Sequence, residues 1–384
     1  MTDTLATLET PALLLSAPRM AANIARMQAR VAALGVAFRP HVKTAKCLPV
    51  ARAMLGAETG PITVSTLREA DEFAAQGFRD ITYAVGFAAN KLPHAARLLA
   101  RGVALTVIVD HLDAARALAR GAAALPAPLR VLVEVDTDGH RAGIRPDDPA
   151  LLAVAEALRA PQLVLAGVLT HHGASYDGRS AEALAAAAEA ERAGAVAAAE
   201  RLRAAGHFEA LRGTPPVVSV GSTPTAMFAR HLQGVTELRA GVYVFHDLVM
   251  AGLGVCTPAD IAVSVLTTVI GQRPERGWTL VDAGWMALSR DRGTAAQAQD
   301  QGYGLVCDAD GQVLDGWIVS AVNQEHGIVA HRSGDAGRLL DAPPGTALRI
   351  LPNHACATCA PYEAYQVVDA TNTLVDRWPR FNGW

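Results

Sequence analysis

From Val36 to Phe245, short apolar runs alternate with helix-forming segments. The runs are Val36–Val42, Ile62–Ser65, Ile81–Val85, Leu105–Val109, Val131–Val135, Leu163–Leu169, Val217–Val220 and Val235–Phe245. Their apolar residues are mostly contiguous rather than alternating, the pattern of strands covered on both faces. Helical segments separate them at Leu48–Gly56, Leu67–Gln76, Leu92–Arg101, Leu112–Gly121, Pro149–Arg159, Ala181–Ala205 and, briefly, from Pro224. Eight βα units in about 210 residues predict a (β/α)8 barrel. An open doubly wound sheet needs a glycine-rich turn after its first strand. The loop there carries Lys43 instead. Ahead of the barrel, Thr10–Leu15 reads as a strand. Ala17–Leu34 reads as a helix with Met20, Ile24, Met27 and Val31 on one face. Ala181–Ala205 is so rich in alanine that helix propensity alone accounts for it in an outer ring.

The pattern changes after Cys256. Ile261–Ile270, Trp278–Val281, Gly304–Cys307, Trp317–Val322, Ala347–Leu351 and Ala364–Val368 are short β-prone runs broken by Gly, Asp and Pro, with no long helical pattern between them. They predict a second, all-β domain. The expected division is a barrel over residues 10–254 and a β domain over residues 255–384. The first strand, Thr10–Leu15, is free to join the second domain.

Composition narrows the function. The chain of 384 residues is 51% hydrophobic, enough for a sizeable core, and carries a net charge of only −3. With both signs interspersed, nothing points to a nucleic acid or an anionic membrane surface. Met1 to Thr10 is polar, without the basic start and apolar stretch of a signal peptide. No apolar run is long enough to span a bilayer. The cysteine count, 5, is odd, and only Cys356 and Cys359 are neighbours. That fits a reducing cytoplasm better than a disulfide framework.

Barrel chemistry gathers at the C-terminal ends of the strands. The first run ends in Arg39-Pro40-His41-Val42-Lys43-Thr44. Pro40 interrupts normal pairing there. A desolvated Lys43 would have a lowered pKa and serve as nucleophile or base, whereas an exposed one merely reaches water. Arg141 follows the fifth run in Asp138-Gly139-His140-Arg141-Ala142-Gly143, and His171 and His172 follow the sixth. Either histidine could line the mouth or stack on a cofactor ring, and Tyr176 follows closely. The seventh run ends in Gly221-Ser222-Thr223, a turn that caps a helix or cradles a phosphate. The eighth contains Arg239-Ala240-Gly241-Val242-Tyr243. A lysine, a phosphate cradle and an arginine on one mouth suit pyridoxal phosphate.

Pro352-Asn353-His354-Ala355-Cys356-Ala357-Thr358-Cys359 is a second constellation. In an extended segment His354 and Cys356 share one side. Imidazole with thiolate suits zinc, and two ligands leave positions open for substrate. The alternative is a buried histidine beside small hydrophobic cysteines. A redox reading of Cys356 and Cys359 lacks the βα context it needs. The polar cluster Asn323-Gln324-Glu325-His326 faces the same site or forms a turn.

Taken together and in this order, these motifs resemble the D-serine dehydratase and D-threonine aldolase family over nearly the whole chain. The resemblance implies a fold-type III pyridoxal-phosphate enzyme, with an alanine-racemase-like barrel and a C-terminal β domain. It implies that Lys43 carries the cofactor, that Arg141 faces its pyridine nitrogen, and that Gly221, Ser222, Thr223 and Tyr243 hold its phosphate. It implies that His354 and Cys356 bind a divalent metal, zinc first, with manganese or magnesium as alternatives. Members of the family are usually homodimers. The aldolase branch tends to carry an aspartate at the position of Cys356, which favours dehydration. The expected reaction turns a β-hydroxy D-amino acid, such as D-threo-3-hydroxyaspartate or D-serine, into a 2-oxo acid and ammonia. Retro-aldol cleavage to glycine and an aldehyde is the competing reading. A non-catalytic pyridoxal-phosphate carrier is a third, and the second domain argues against it.

Overall fold

The computed structural model describes residues 5–384; the first four residues of the polar Met1–Thr10 stretch lie outside the described residues. Two compact units emerge. One joins the chain up to Arg26 with Val242–Asn382, and the other comprises Met27–Gly241 with Gly383–Trp384.

The strand β1 is Ala12–Ser16. The second unit contains the parallel strands β2 (Ala37–Phe38), β3 (Ile62–Val64), β4 (Asp80–Gly86), β5 (Ala104–Val109), β6 (Leu129–Val135), β7 (Leu163–Thr170), β8 (Val217–Val220) and β9 (Glu237–Leu238). Their order is β2-β9-β8-β7-β6-β5-β4-β3. A parallel bridge between His41 and Thr63 joins the two ends, so the sheet closes into the expected (β/α)8 barrel. Pro40 interrupts less than its sequence suggests. Arg39 and His41 donate their N–H groups to the Leu238 and Ala240 carbonyls, and Val42 donates to Thr63 at 2.9 Å. Only the N–H that proline lacks is missing from the ladder. Strand interiors such as Val107, Leu129, Val131 and Val168 are fully buried, as two covered faces require. Inside this unit Arg39 forms a buried ion pair with Glu237 at 2.6 Å and reaches Asp80 at 2.8 Å.

The other unit contains β1 with β10 (Val263–Arg273), β11 (Trp278–Val281), β12 (Leu305–Cys307), β13 (Val313–Val322), β14 (Gly327–His331), β15 (Ala347–Leu351), β16 (Ala364–Val368) and β17 (Leu374–Pro379). They form one sheet in the order β11-β14-β13-β12-β15-β10-β1-β16-β17, with β11 also pairing β10. The first strand joins this sheet, antiparallel to β10 and parallel to β16. Leu13, Leu14 and Leu15 are buried in it. Among the described residues no helix is long and apolar enough to cross a membrane.

Candidate functional site at the barrel end and around His354

Several strand ends of the barrel contribute to one group of side chains. Lys43 lies in the turn beyond β2 and is exposed, the second of the two sequence readings. The chain has left the ladder by that residue, so the side chain clears the wall. Arg141, in the loop after β6, is exposed too, with Nη2 3.8 Å from the buried Glu134 carboxylate. Beyond β7, His171 Nδ1 donates to the Gly221 carbonyl at 3.3 Å, and the Tyr176 ring lies 6.1 Å from the imidazole. Burial, then the positive charges of Lys43 and Arg141, lower the His171 pKa to about 3. His41 is held well below the ordinary histidine value by burial, then by Lys43, Arg239 and His171. Both rings are neutral at neutral pH, and the region acts on them as a cationic one.

His172 belongs to the framework. It is buried, with Nδ1 3.0 Å from Thr137 Oγ1, and its N–H donates to Glu191 at 3.0 Å. The turn after β8 is tightly packed. Gly221 has φ +130°, and a Cβ there would sit 2.0 Å from the Arg239 carbonyl oxygen, so no other residue fits. Ser222 caps the short helix Thr223–Phe228: Thr225 N–H donates to Ser222 Oγ at 3.2 Å, and Ser222 N–H to Thr225 Oγ1 at 3.0 Å. Arg239 is buried beneath this turn and donates to Ser219 Oγ at 2.7 Å and to the Thr170 carbonyl at 2.6 Å. Within its own unit, Tyr243 occupies the turn Val242–Val244, and burial pushes its phenol pKa up.

The second centre lies in the unit of the antiparallel sheet. His354 precedes the helix Ala355–Cys359, and its Nδ1 donates to Asp291 Oδ2 at 2.7 Å. Burial opposes charge on this ring. Hydrogen bonds to Asp291 and Cys356, with the charges of Cys356 and Asp247, outweigh it and push the pKa up to about 11. Asp291 is held in turn by its own loop: Asn353 Nδ2 donates to the Asp291 carbonyl at 3.2 Å, and Thr294 Oγ1 to Asn353 Oδ1 at 2.9 Å. Asp247 is buried and accepts the Ala355 N–H at 3.0 Å, fixing the start of the helix. The donor set suits a divalent cation. A carboxylate holds one ring nitrogen and leaves Nε2, a thiol stands beside it, and anions that favour a protonated ring also favour a metal. Among the described residues no group of three or more His, Cys, Asp or Glu side chains is arranged to hold a metal ion.

Cys359 is fully buried, and burial pushes its thiol up to about 12. No disulfide forms between it and Cys356. The Asn323–His326 cluster is an exposed hairpin turn between β13 and β14. Asn323 N–H donates to the His326 carbonyl at 2.8 Å, and the Asn323 carbonyl accepts Trp285 N–H at 2.9 Å. The sequence reading passed over Glu191, Asp247 and Asp291. Only Glu191 left a signal: it falls on the buried stripe Leu184, Ala188, Ala195, Ala198 and Leu202 of the alanine-rich helix Ala181–Ala204.

Comparison with known proteins adds to this geometry. Residues 15–248 match the alanine racemase N-terminal domain, and residues 262–368 a putative serine dehydratase domain. The D-threo-3-hydroxyaspartate dehydratase of Delftia sp. (strain HT23) is 54% identical over the whole of both chains. Its solved structure gives a TM-score of 0.94 with 100% of each chain covered. A cysteine-to-alanine variant of a D-threo-3-hydroxyaspartate dehydratase, solved in the metal-free form, gives the same TM-score at 53% identity, again with 100% of each chain covered. The D-serine dehydratase of Dictyostelium discoideum is 28% identical, over 100% of this chain and 99% of that one. The D-threonine aldolase of Filomicrobium marinum has a TM-score of 0.80 at 25% identity, over 98% and 96% of the two chains.

Proposed function

Because the chain belongs to the D-serine dehydratase and D-threonine aldolase family of alanine-racemase-like enzymes, we propose that it is a pyridoxal-phosphate- and divalent-metal-dependent carbon–oxygen lyase. Its substrate is a β-hydroxy D-amino acid, D-threo-3-hydroxyaspartate or D-serine, and its products are a 2-oxo acid and ammonia. One observation carries the choice of dehydration over aldol cleavage: full-length identity of 54% to a hydroxyaspartate dehydratase, against 25% to an aldolase of nearly equal coverage.

In this reading residues 10–254 bind pyridoxal phosphate and residues 255–384 supply the metal ligands. Pyridoxal phosphate makes the Cα proton acidic, and a divalent metal makes the β-hydroxyl a better leaving group. The chain does the rest. Lys43 holds the cofactor, and its amine, once released, takes the Cα proton. Arg141 faces the pyridine nitrogen; a fixed cation there, steered by Glu134, keeps that nitrogen unprotonated and discourages racemisation. Gly221, Ser222, Thr223 and Tyr243 hold the phosphate. His171 and Tyr176 line the ring, and His171 stays neutral so that it adds no charge. His354 and Cys356 hold the metal, with Asp291 orienting the imidazole. Zinc suits the imidazole and thiolate pair best, with manganese or magnesium as alternatives. A cytoplasmic homodimer completes the reading, supported by the family likeness and by cysteines that form no disulfide.

The test supplies D-threo-3-hydroxyaspartate and D-serine with each metal and quantifies products. Oxaloacetate or pyruvate forming in step with ammonia is expected. Stoichiometric glycine with an aldehyde would move the protein to the aldolase reading.

A further inference from the structure

We propose that Glu191 is a positioning residue of the cofactor site: its carboxylate ties the end of β7 to the turn after β8 and thereby fixes the phosphate cradle relative to His171. The proposal rests on the cofactor reading above and extends it to a residue outside the strand ends.

Glu191 sits midway along the helix Ala181–Ala204 and is only 2% exposed. A carboxylate in that place is costly unless it is hydrogen-bonded. Its partners converge from two strand ends. The His172 N–H donates to Oε1 at 3.0 Å. The Thr225 hydroxyl and the Gly221 N–H face the same carboxylate and favour its charged form. Burial raises its pKa, while these donors and the charge of Arg239 oppose that rise. The Thr225 oxygen accepts the Ser222 N–H at 3.0 Å, and its hydroxyl lies 3.4 Å from the Ser222 carbonyl as well as facing Glu191. One carboxylate therefore faces the Gly221 amide and, through Thr225, bears on the Ser222 amide. It also holds His172, the neighbour of His171, whose Nδ1 bonds the Gly221 carbonyl. An alanine-rich helix of the outer ring needs no such residue for its own stability.

An amide cannot replace the carboxylate. Its single oxygen would accept from part of this donor set, and its NH2 would face the remainder. The discriminating ligand pair is pyridoxal phosphate and pyridoxal, which differ only in the phosphate. Both are added back to enzyme stripped of cofactor with hydroxylamine, and dissociation constants are read from the visible absorbance of bound ligand. For Glu191→Gln we expect a loss of about tenfold or more for pyridoxal phosphate and under about threefold for pyridoxal, a difference one or two charge-assisted hydrogen bonds would produce. The Lys43 attachment should survive in both. General loosening of the fold would weaken the two ligands equally, and that result, or no change in either, would overturn the proposal. Wild-type protein that takes up no pyridoxal phosphate would bring down the cofactor reading and this proposal with it, an outcome visible before any variant is made. Should Glu191→Gln fail to fold, Thr225→Val removes one of the same donors. It is expected to lose several-fold on pyridoxal phosphate alone, and equal loss on both ligands sinks the idea.

Discussion

His171 and His354 carry the same ring and are pushed in opposite directions. At the barrel end, burial and the cations Lys43 and Arg141 lower His171 to about 3. In the antiparallel-sheet unit, Asp291, Cys356 and Asp247 overcome burial and raise His354 to about 11. The first region surrounds its histidine with positive charge and the second with negative charge. The two are also assembled differently. The barrel group draws on the ends of five strands, whereas His354 and Cys356 come from one short segment, oriented by a loop carboxylate. A site made by topology resists single changes in its framework but fails with its one reactive group. A site made by two neighbouring side chains fails with either.

The largest effect should therefore follow loss of Lys43. Lys43→Ala is expected to abolish covalent attachment of the cofactor and to cut turnover by about 10²–10⁴-fold, the range for removing a positioned acid or base. Borohydride reduction of the wild type should fix the cofactor to the peptide that contains Lys43. Label on Lys46 or any other lysine would reverse the assignment.

At the second centre the effects should be graded. Cys356→Ala is expected to lose bound metal, measured by elemental analysis, while the visible band of bound pyridoxal phosphate remains. Asp291→Asn keeps both ligands but loosens the imidazole, and should weaken metal binding by about 10–100-fold. Cys359→Ala is the internal control, since its buried thiol has a pKa near 12 and should keep both metal and activity. Full metal content in Cys356→Ala would show that the ligand pair has been misassigned.

Legibility in the sequence follows the same division. The barrel was readable because strands buried on both faces leave contiguous apolar runs at regular intervals. The Lys43 turn, the Gly221 turn and the His354–Cys356 pair were readable because each is local. What was hidden depends on closure. Val235–Phe245 looks like one long strand, yet only Glu237–Leu238 forms a regular strand within it, and Val242–Val244 is a turn of 3-10 helix. The apolar character there comes from burial, not from a ladder. β17 was missed because Val375, Asp376 and Arg377 are exposed at a sheet edge and show no apolar run. Asp247, Asp291 and Glu191 reach their partners from over a hundred, some sixty and about twenty residues away respectively. No spacing rule announces a side chain that becomes a partner only when distant elements pack.

The smallest expected effect concerns pH, and it isolates the cationic side of the comparison. An unfolded histidine takes up its proton at about pH 6.5. Folded His171 does so only at about 3. Between these values the unfolded chain binds a proton that the folded chain does not. Stability must therefore fall as pH drops from about 6.5 toward 3, and be fully present above 6.5. One such group changes stability by at most about 1.4 kcal/mol per pH unit. In a chain of 384 residues that amounts to roughly 1–2 °C in Tm. His171→Gln removes this group but leaves His41, whose lowered pKa contributes in the same direction. The acid limb of Tm against pH should therefore flatten without vanishing. The measurement is a set of thermal melts of the cofactor-free protein between pH 7 and pH 5. Parallel limbs for wild type and His171→Gln would mean that His171 is not held neutral by burial and its cationic neighbours, and the contrast with His354 would lose one of its two poles.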